Sequence, residues 1–152
     1  IDQSLFARNI LDEKNGPPPE VNLFNEKNNG ETVLKLIDAG LIKSAHDVSL
    51  GGIITAISKM CIKGNKGIDL KKPKYLISDI EYFFSEDQGR YLIEVTKKDL
   101  KKVTNVLDKN AVHYDELGVI NEDQLYINEK SKITIDELKS SNTSWLNNYM
   151  DN

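Results

Sequence analysis

The sequence is poor in the features that mark disulfide-stabilised, secreted or membrane-spanning proteins. Its 152 residues include a single cysteine, Cys61, so no internal disulfide can form. No apolar run approaches the roughly 20 residues that a membrane-spanning helix needs, and the beginning of the chain has no signal-peptide pattern. These absences argue against a disulfide scaffold and against a membrane partner, and they predict a cytoplasmic location.

The chain also lacks a large excess of charge of either sign. Its 20 Lys and Arg residues face 24 Asp and Glu residues, giving a net charge of −4, which argues against a nucleic-acid partner. Only Arg8 and Arg90 are arginines, and each merits examination because the guanidinium fork suits carboxylate and phosphate. The 39% apolar content is that of one globular domain with its own core. Because residue 1 is Ile rather than Met, we expect a piece of a longer protein.

The first half of the chain is predicted to be mainly helical. Residues 1–20 read as a helix over 4–13, with Ser4 as its cap, followed by a Gly/Pro connector over 14–20. Apolar periodicity predicts a second helix over 31–40 that stops at Gly40. The pattern then indicates a short strand or extended turn over 41–49 and a third helix over 50–62.

The second half is predicted to follow a β-α-β-β order. Residues 77–84 are ambiguous, and residues 90–96 are β-branched and aromatic, as in a strand. Further predictions are a helix over 97–109, strands over 111–120 and 124–127 joined by a hairpin loop at 121–123, and a helical tail from Ile135 that Trp145 anchors to the body. The fold class expected from this order is α+β, a mixed and largely antiparallel sheet with packed helices.

The first candidate site lies where an extended segment becomes a helix. A helix N-terminus presents unpaired N–H groups, and Gly51 and Gly52 would let a phosphate approach the backbone closely. Asp47, just upstream, could hold Mg²⁺, which prefers carboxylate and phosphate oxygens. In the alternative interpretation Asp47 or Ser49 only caps the helix, and the glycines only allow tight packing.

The second candidate site is the polar turn before the strand at 90–96. Glu86 could orient a substrate hydroxyl or a metal, Gln88 offers a donor and an acceptor, and Arg90 could bind phosphate. The alternative is a turn held by an internal salt bridge between Arg90 and a carboxylate.

Signatures of complete catalysis are missing. His46 and His113 have no spaced partner that would make a zinc motif, and Cys61 lies on an apolar helix stripe, which is typical of core packing. The sequence contains no Walker loop and no GxGxxG fingerprint. We therefore expect the chain alone to be inactive.

Several stretches, taken in order, resemble one known family. They are GPPPEVNL at 16–23, AGLIKSAHDVSLGG at 39–52, FFSEDQGRYLIEV at 83–95, and the pair LGVI and LYI at 117–120 and 125–127. Together they are similar to the C-terminal domain of the second repeat in the synthetase subunit of phosphoribosylformylglycinamidine synthase. That family belongs to the superfamily of aminoimidazole ribonucleotide synthase. The resemblance covers essentially the whole chain.

This resemblance implies a function for the longer protein. It would be a ligase that converts formylglycinamide ribonucleotide, ATP and glutamine-derived ammonia into formylglycinamidine ribonucleotide, with ATP and Mg²⁺ as cofactors. Its partners would be the remaining N-terminal domains of the same chain and a glutaminase. The family's ligand cleft would map onto Asp47 as a metal ligand and onto a phosphate-binding or substrate-binding set, namely Gly51, Gly52, Glu86, Gln88 and Arg90.

Two positions depart from the family pattern and keep other interpretations open. Asp87 stands where the family usually has Ser, and Leu50 stands at a commonly acidic position. Both departures favour a non-catalytic domain that frames an auxiliary nucleotide site. A related ATP-dependent synthetase, such as selenophosphate synthetase, is a further alternative, against which the connector at 16–19 argues.

Overall fold

The computed structural model describes residues 1–74, 77–128 and 131–150, which fall into two compact units. The first unit comprises Ile1–Ala56 and Ile77–Asp115, and the second comprises Ile57–Leu76 and Glu116–Asn152. The interpretation of residues 1–152 as one domain stays a prediction. The elements in chain order are α1 (Leu5–Ile10), α2 (Leu23–Asp38), β1 (Ser44–Asp47), α3 (Gly52–Gly64), β2 (Gly67–Leu70), α4 (Asp79–Phe84), β3 (Tyr91–Glu94), α5 (Leu100–Lys109), β4 (Gly118–Asn121), β5 (Gln124–Ile127), β6 (Ser131–Thr134) and α6 (Ile135–Met150).

The strands form two sheets, one in each unit. In the first unit β1 and β3 pair antiparallel, with Ser44 opposite Glu94 and Asp47 opposite Tyr91. In the second unit the strand order is β4-β2-β5-β6, where β2 runs antiparallel to β4 and parallel to β5, and β5 runs antiparallel to β6. The predicted fold class, a mixed and largely antiparallel α+β arrangement, is therefore confirmed.

The core of the first unit forms where α2 and α5 pack together. Leu36 of α2 and Val103 and Leu107 of α5 are buried at its centre. The helix predicted over 97–109 is thus present from Leu100 onward, and it buries its apolar face against another element, as an amphipathic helix does. Half-buried side chains surround this centre, namely Leu41, Ile42, Ile93, Val95, Val106 and Val112.

Helix α2 begins earlier than the sequence pattern predicted. The Asn22 side chain accepts a hydrogen bond from the backbone N–H of Asn25 and caps a helix that starts at Leu23 rather than near residue 31. The helix continues through Gly30 despite the poor helix propensity of glycine. It ends as predicted, because Gly40 adopts a left-handed conformation with φ +64° just beyond the C-cap Ala39.

Helix α1 is present with Ser4 as its cap but spans only Leu5–Ile10 of the predicted 4–13, and the connector over 14–20 contains no helix or strand. The ambiguous segment after residue 77 is helix α4. Its N-cap Ser78 and Glu81 exchange reciprocal side-chain to backbone hydrogen bonds as a capping box.

The predicted hairpin at 121–123 is wrong, because β2 lies between β4 and β5. The sequence pattern did not identify β2 or β6, and the strand predicted over 111–120 is present only from Gly118 onward. Trp145 was predicted to anchor the tail, but it is 66% exposed and stacks on Tyr149 instead. Local periodicity carries no information about which strand separates two others, so this order could not be found from spacing.

Gly67, at the start of β2, explains how the connection from β4 to β5 can cross this strand. It is buried and lies opposite Asn121. A Cβ atom at Gly67 would overlap the Asn121 side chain and the backbone of Gln124. The chain therefore passes over β2 at a point where only glycine leaves enough room.

We expect Gly67→Ala to destabilise the protein by about 3 kcal/mol, because the added methyl group meets backbone atoms that cannot move aside. Gly64→Ala is the matched control, since nothing lies within 4 Å of a Cβ there and the site ends helix α3. The control should be neutral or stabilising by up to about 1 kcal/mol. Urea unfolding midpoints measure both, and equal stabilities for the two variants would contradict the close approach at Gly67.

Candidate functional site

The first part of the site is the turn between β1 and α3. Strand β1 ends at Asp47, and the buried Val48 donates its backbone N–H to the carbonyl of Arg90 at 2.9 Å. Gly51 and Gly52 follow with φ +82° and +70°, in the left-handed region that favours glycine. The turn is thereby fixed against the segment that precedes β3.

The space beside Gly52 is filled by backbone. A Cβ atom there would lie 2.6 Å from the carbonyl oxygen of Phe83 and 2.7 Å from that of Ser85. Both Gly51 and Gly52 are buried. Carbonyl oxygens carry partial negative charge and repel an anion, so the glycines serve close packing in this conformation. Their phosphate-binding role stays a prediction.

Glu86 joins two separate parts of the first unit. Its Oε1 atom accepts hydrogen bonds from the backbone N–H of Leu5 and from that of Gly51, each at 2.8 Å. Leu5 is the first residue of α1, and Gly51 immediately precedes α3. One carboxylate thus occupies the two backbone donors to which an incoming anion would bind.

Arg90 closes its own turn. Its Nη2 atom donates to the carbonyl of Ser85 at 2.5 Å and lies 3.5 Å from Oδ2 of Asp87, while its Nε atom donates to the carbonyl of Asp87 at 3.3 Å. Burial lowers the pKa of Arg90, and the nearby Asp87 opposes that shift. The geometry matches the alternative interpretation of a turn held by an internal Arg–carboxylate pair.

The sheet places Asp47 away from this cluster. Asp47 lies opposite Tyr91, so these two side chains share one face of the β1–β3 pair. Arg90 precedes Tyr91 and lies opposite Val48, so its side chain belongs to the other face. Glu86, Arg90, Gly51 and Gly52 are brought together, whereas Asp47 is not part of their cluster.

Asp47 instead borders an apolar groove of about 430 Å³. Its side chain is 67% exposed, and the Nδ1 atom of His46 lies 3.5 Å from its Oδ1. The periodicity of α2 predicted a helix, but it did not indicate that the exposed apolar side of this helix would lie beside Asp47, the candidate metal ligand. The lining residues are Gly30, Val33, Leu34, Ile37, Ala45, His46, Asp47 and Tyr91.

The capacity of the site for a metal ion rests on one carboxylate. Among residues 1–74, 77–128 and 131–150, no group of three or more His, Cys, Asp or Glu side chains is close enough to hold a metal. Mg²⁺ is commonly held by one or two carboxylates together with nucleotide phosphates and water. Asp47 therefore suits a Mg²⁺ ion only as a single protein ligand to a metal–nucleotide complex.

The remaining candidates are the thiol of Cys61 and the polar side chains at the tip of the turn. Burial raises the pKa of the Cys61 thiol to about 11, so the thiol stays protonated at neutral pH and packs as a small apolar group. Gln88 and Asp87 are exposed at the tip of the turn. Within the described part of the chain, the helices are too short or too polar to cross a membrane.

Two residues that support the site were not among those indicated by the sequence motifs. The backbone N–H of Leu5 is one of the two partners of Glu86, and the Asn29 side chain donates to the carbonyl of Gly89 at 3.0 Å. Leu5 and Glu86 are 81 positions apart, and Asn29 and Gly89 are 60 apart. No local pattern signals such pairs, although the Asn28-Asn29-Gly30 run inside a helix was an unusual feature.

Residues 3–128 match the family model described as AIR synthase related protein, C-terminal domain. The chain is 68% identical over all 152 residues to the phosphoribosylformylglycinamidine synthase subunit PurL of Pelagibacter ubique (strain HTCC1062) and covers 21% of that protein. It thus spans about a fifth of the length of the curated relatives that it matches.

Two solved structures show a similar fold. One is described as T. maritima PurL complexed with FGAR, with a TM-score of 0.68 and 22% identity, covering 78% of this chain and 21% of that one. The other is T. maritima PurL complexed with ATP, with a TM-score of 0.65 and 21% identity, covering 74% of this chain and 21% of that one. The chain therefore shares its fold with both structures, although its sequence identity to them is only 21–22%.

We expect Glu86→Ala to destabilise the first unit by about 2 kcal/mol, because two backbone donors lose a charged acceptor. Glu86→Gln keeps an acceptor oxygen and should lose only about half as much. Glu20→Ala, at an exposed position in the connector, is the control and should change stability by less than about 0.5 kcal/mol. Amide hydrogen exchange at Leu5 and Gly51 should accelerate in the Ala variant; unchanged protection at both amides would refute the double hydrogen bond.

We expect Gly52→Ala to cost about 3 kcal/mol or more, because a left-handed alanine and a clash with two carbonyls add together. Gly40→Ala separates the two causes, since Gly40 has φ +64° but nothing within 4 Å of a Cβ. It should cost only about 1–2 kcal/mol. Thermal unfolding provides the comparison, and a smaller loss for Gly52→Ala than for Gly40→Ala would rule out the packing of residues 83–85 against Gly52.

Proposed function

The chain belongs to the family of AIR synthase related protein, C-terminal domain, and from this membership we propose that it is the C-terminal domain of the synthetase subunit of phosphoribosylformylglycinamidine synthase. The observation that carries the proposal is the 68% identity over all 152 residues to a subunit of that name. The similarity of fold to PurL is consistent with it.

The proposed reaction belongs to the longer protein. ATP transfers its γ-phosphoryl group to the amide oxygen of formylglycinamide ribonucleotide and leaves as ADP. Ammonia then attacks the resulting iminophosphate, and phosphate leaves as the amidine forms. Such chemistry depends on positioning and on stabilisation of charge more than on a covalent protein nucleophile. The neighbours complexed with FGAR and with ATP support this pair of substrates. A selenophosphate synthetase is less consistent with the 68% identity to PurL over all 152 residues of this chain.

Within that enzyme we propose that this domain frames a cleft rather than supplying catalytic groups. Glu86 and Arg90 are engaged with backbone groups of the same unit, and Gly51 and Gly52 are covered. These four residues act as positioning residues. Direct contact of Glu86 or Arg90 with substrate would require the turn to rearrange, whereas Gln88 is already exposed at its tip.

Asp47 is the candidate for direct contact with a ligand. Its side chain is exposed and has an apolar groove beside it. We propose that Asp47 contributes one oxygen to Mg²⁺ bound by nucleotide phosphates, which would supply charge neutralisation at the phosphates. Asp47 itself would position that complex against the end of strand β1.

The proposed partners follow from the length of the relatives. The remaining domains of the polypeptide would complete the cleft, and a glutaminase would supply ammonia. The neighbour described as the structure of PurLQS from Thermotoga maritima supports an assembly of this kind. We further propose a cytoplasmic location, as expected for the synthesis of purine nucleotides.

The test uses the full-length polypeptide with ammonia, ATP and the ribonucleotide. We expect amidine formation by the full-length protein and none by the 152-residue chain, which should also bind ADP and Mg²⁺ weakly or not at all. Absence of ammonia-dependent amidine formation by folded full-length protein would overturn the proposed function. Tight ADP binding by the 152-residue chain would show that it holds a complete site.

Variants of the full-length protein separate the roles of the residues. Asp47→Asn should raise the Mg²⁺ concentration needed for half-maximal ADP binding by about tenfold, since the proposed ligand to the metal loses its negative charge. Asp38→Asn is the control, because Asp38 is an exposed carboxylate at the end of α2. A Mg²⁺ dependence unchanged in Asp47→Asn would contradict the proposed role of Asp47 in metal binding.

Arg90→Ala should lower the melting temperature while leaving kcat within about threefold. A loss of kcat without loss of stability in Arg90→Ala would contradict the proposal that Arg90 frames the cleft.

A further inference from the structure

The C-terminal half of α6 carries an exposed apolar face. Trp145, Leu146, Tyr149 and Met150 recur at helical spacing on one side of the helix and are 66%, 54%, 68% and 73% exposed. Single exposed apolar residues are ordinary on protein surfaces, but four adjacent ones, including two aromatics, mark an interaction surface. We call these four residues the α6 face.

Contacts near the start of α6 fix that end of the helix within the second unit. Ile135 is buried, and the side chains and backbone N–H groups of Thr134 and Glu137 bond each other reciprocally. The Lys139 ammonium donates to Oδ1 of Asn65 at 2.5 Å. Trp145 and Tyr149 stack with ring centroids 5.6 Å apart, so the two largest side chains of the face are already ordered against each other.

The face is also free of charge. Residues 140–150 contain no Asp, Glu, Lys or Arg, although 29% of the whole chain is charged. The centres of protein interfaces are depleted of charged residues and enriched in aromatic residues and Met, which is the composition found here. A solvated helix end would instead be expected to carry charged side chains.

Helix α6 lies outside the part of the chain that matches the family domain. The match to the general family model ends at residue 128, before α6 begins, whereas the Pelagibacter relative aligns over all 152 residues. Helix α6 is therefore shared with a subunit about five times as long but lies outside the matched family domain. A surface that covers the α6 face would then belong to the rest of that longer polypeptide.

The size of the face points to the same occupant. Covering all four side chains would remove roughly 600 Å² from water, given that an aromatic side chain buries about 150–250 Å². A stable complex between separate molecules needs about 800 Å² on each partner. A patch below that size suffices when both surfaces belong to one chain, because the effective concentration is then in the millimolar range.

We propose that the α6 face docks into an apolar surface on another domain of the same longer polypeptide. Trp145 and Tyr149 are the anchors of this contact, and Leu146 and Met150 fill the space beside them. The inference rests on the proposed placement of the chain within the longer synthetase. It does not depend on the residues of the candidate site or on the reaction.

Hydrogen exchange measured by mass spectrometry tests the proposal in the full-length polypeptide. The amides of 142–150 should exchange at least tenfold more slowly there than in the 152-residue chain. Trp145→Ala combined with Tyr149→Ala should return this exchange to the fast rate and lower the melting temperature of the full-length protein. The control combines Ser140→Ala and Ser144→Ala on the opposite side of α6 and should leave both readouts unchanged.

Other occupants give different results. Sedimentation of the 152-residue chain should show a monomer, and a dimer with slow exchange in 142–150 would assign the face to a second copy and overturn the proposal. Equal exchange of these amides in both proteins would also overturn it. If the full-length protein forms the amidine while 142–150 stay unprotected, the inference fails and the proposed function stands; protection without amidine formation gives the reverse.

Discussion

A single carboxylate connects the parts of the first unit that the candidate site depends on. Oε1 of Glu86 accepts from the N–H of Leu5 and from that of Gly51, two amides 46 positions apart in the chain. Neither donor has a partner within its own helix, since both lie at helix starts. The same short segment that ends α4 packs its carbonyls against Gly52, so the position of Glu86 and the need for glycine arise from one arrangement.

This arrangement limits what the turn can bind. An anion approaching Gly51 would meet a carboxylate already 2.8 Å from the amide nitrogen, and one approaching Gly52 would meet two carbonyl oxygens. Displacing Glu86 would leave its charge and two backbone donors to be satisfied by other groups, which is costly in a partly buried place. The sequence motif, a glycine pair at the start of a helix, is therefore compatible with phosphate binding, but the packing around these glycines opposes it. Which groups already bind the backbone N–H groups decides between these two interpretations.

Local features of this fold followed from the sequence, and non-local ones did not. The cap at Ser4, the stop at Gly40 and the apolar stripe of α5 depend on neighbours within a few residues, so periodicity and cap chemistry identified them. The insertion of β2 between β4 and β5 depends on pairing across about 50 positions, and the sequence suggested a hairpin instead. For the site, the turn and its residues were found, but the separation of Asp47 from Arg90 required the register of β1 with β3.

The distribution of apolar residues shows the same difference between what the sequence predicts and what it does not. Leu36, Val103 and Leu107 are buried, whereas a second set of large apolar side chains is 66–77% exposed, namely Leu23, Phe24, Trp145 and Met150. Periodicity reports that a helix has an apolar side but not whether that side meets its own domain or another one. Among the described residues, α5 has an apolar side that is covered and α6 has one that is exposed. The residue type of Trp145 predicted burial against the body of this chain, and this prediction was wrong, since Trp145 is 66% exposed and residue type does not report which surface, if any, covers a side chain.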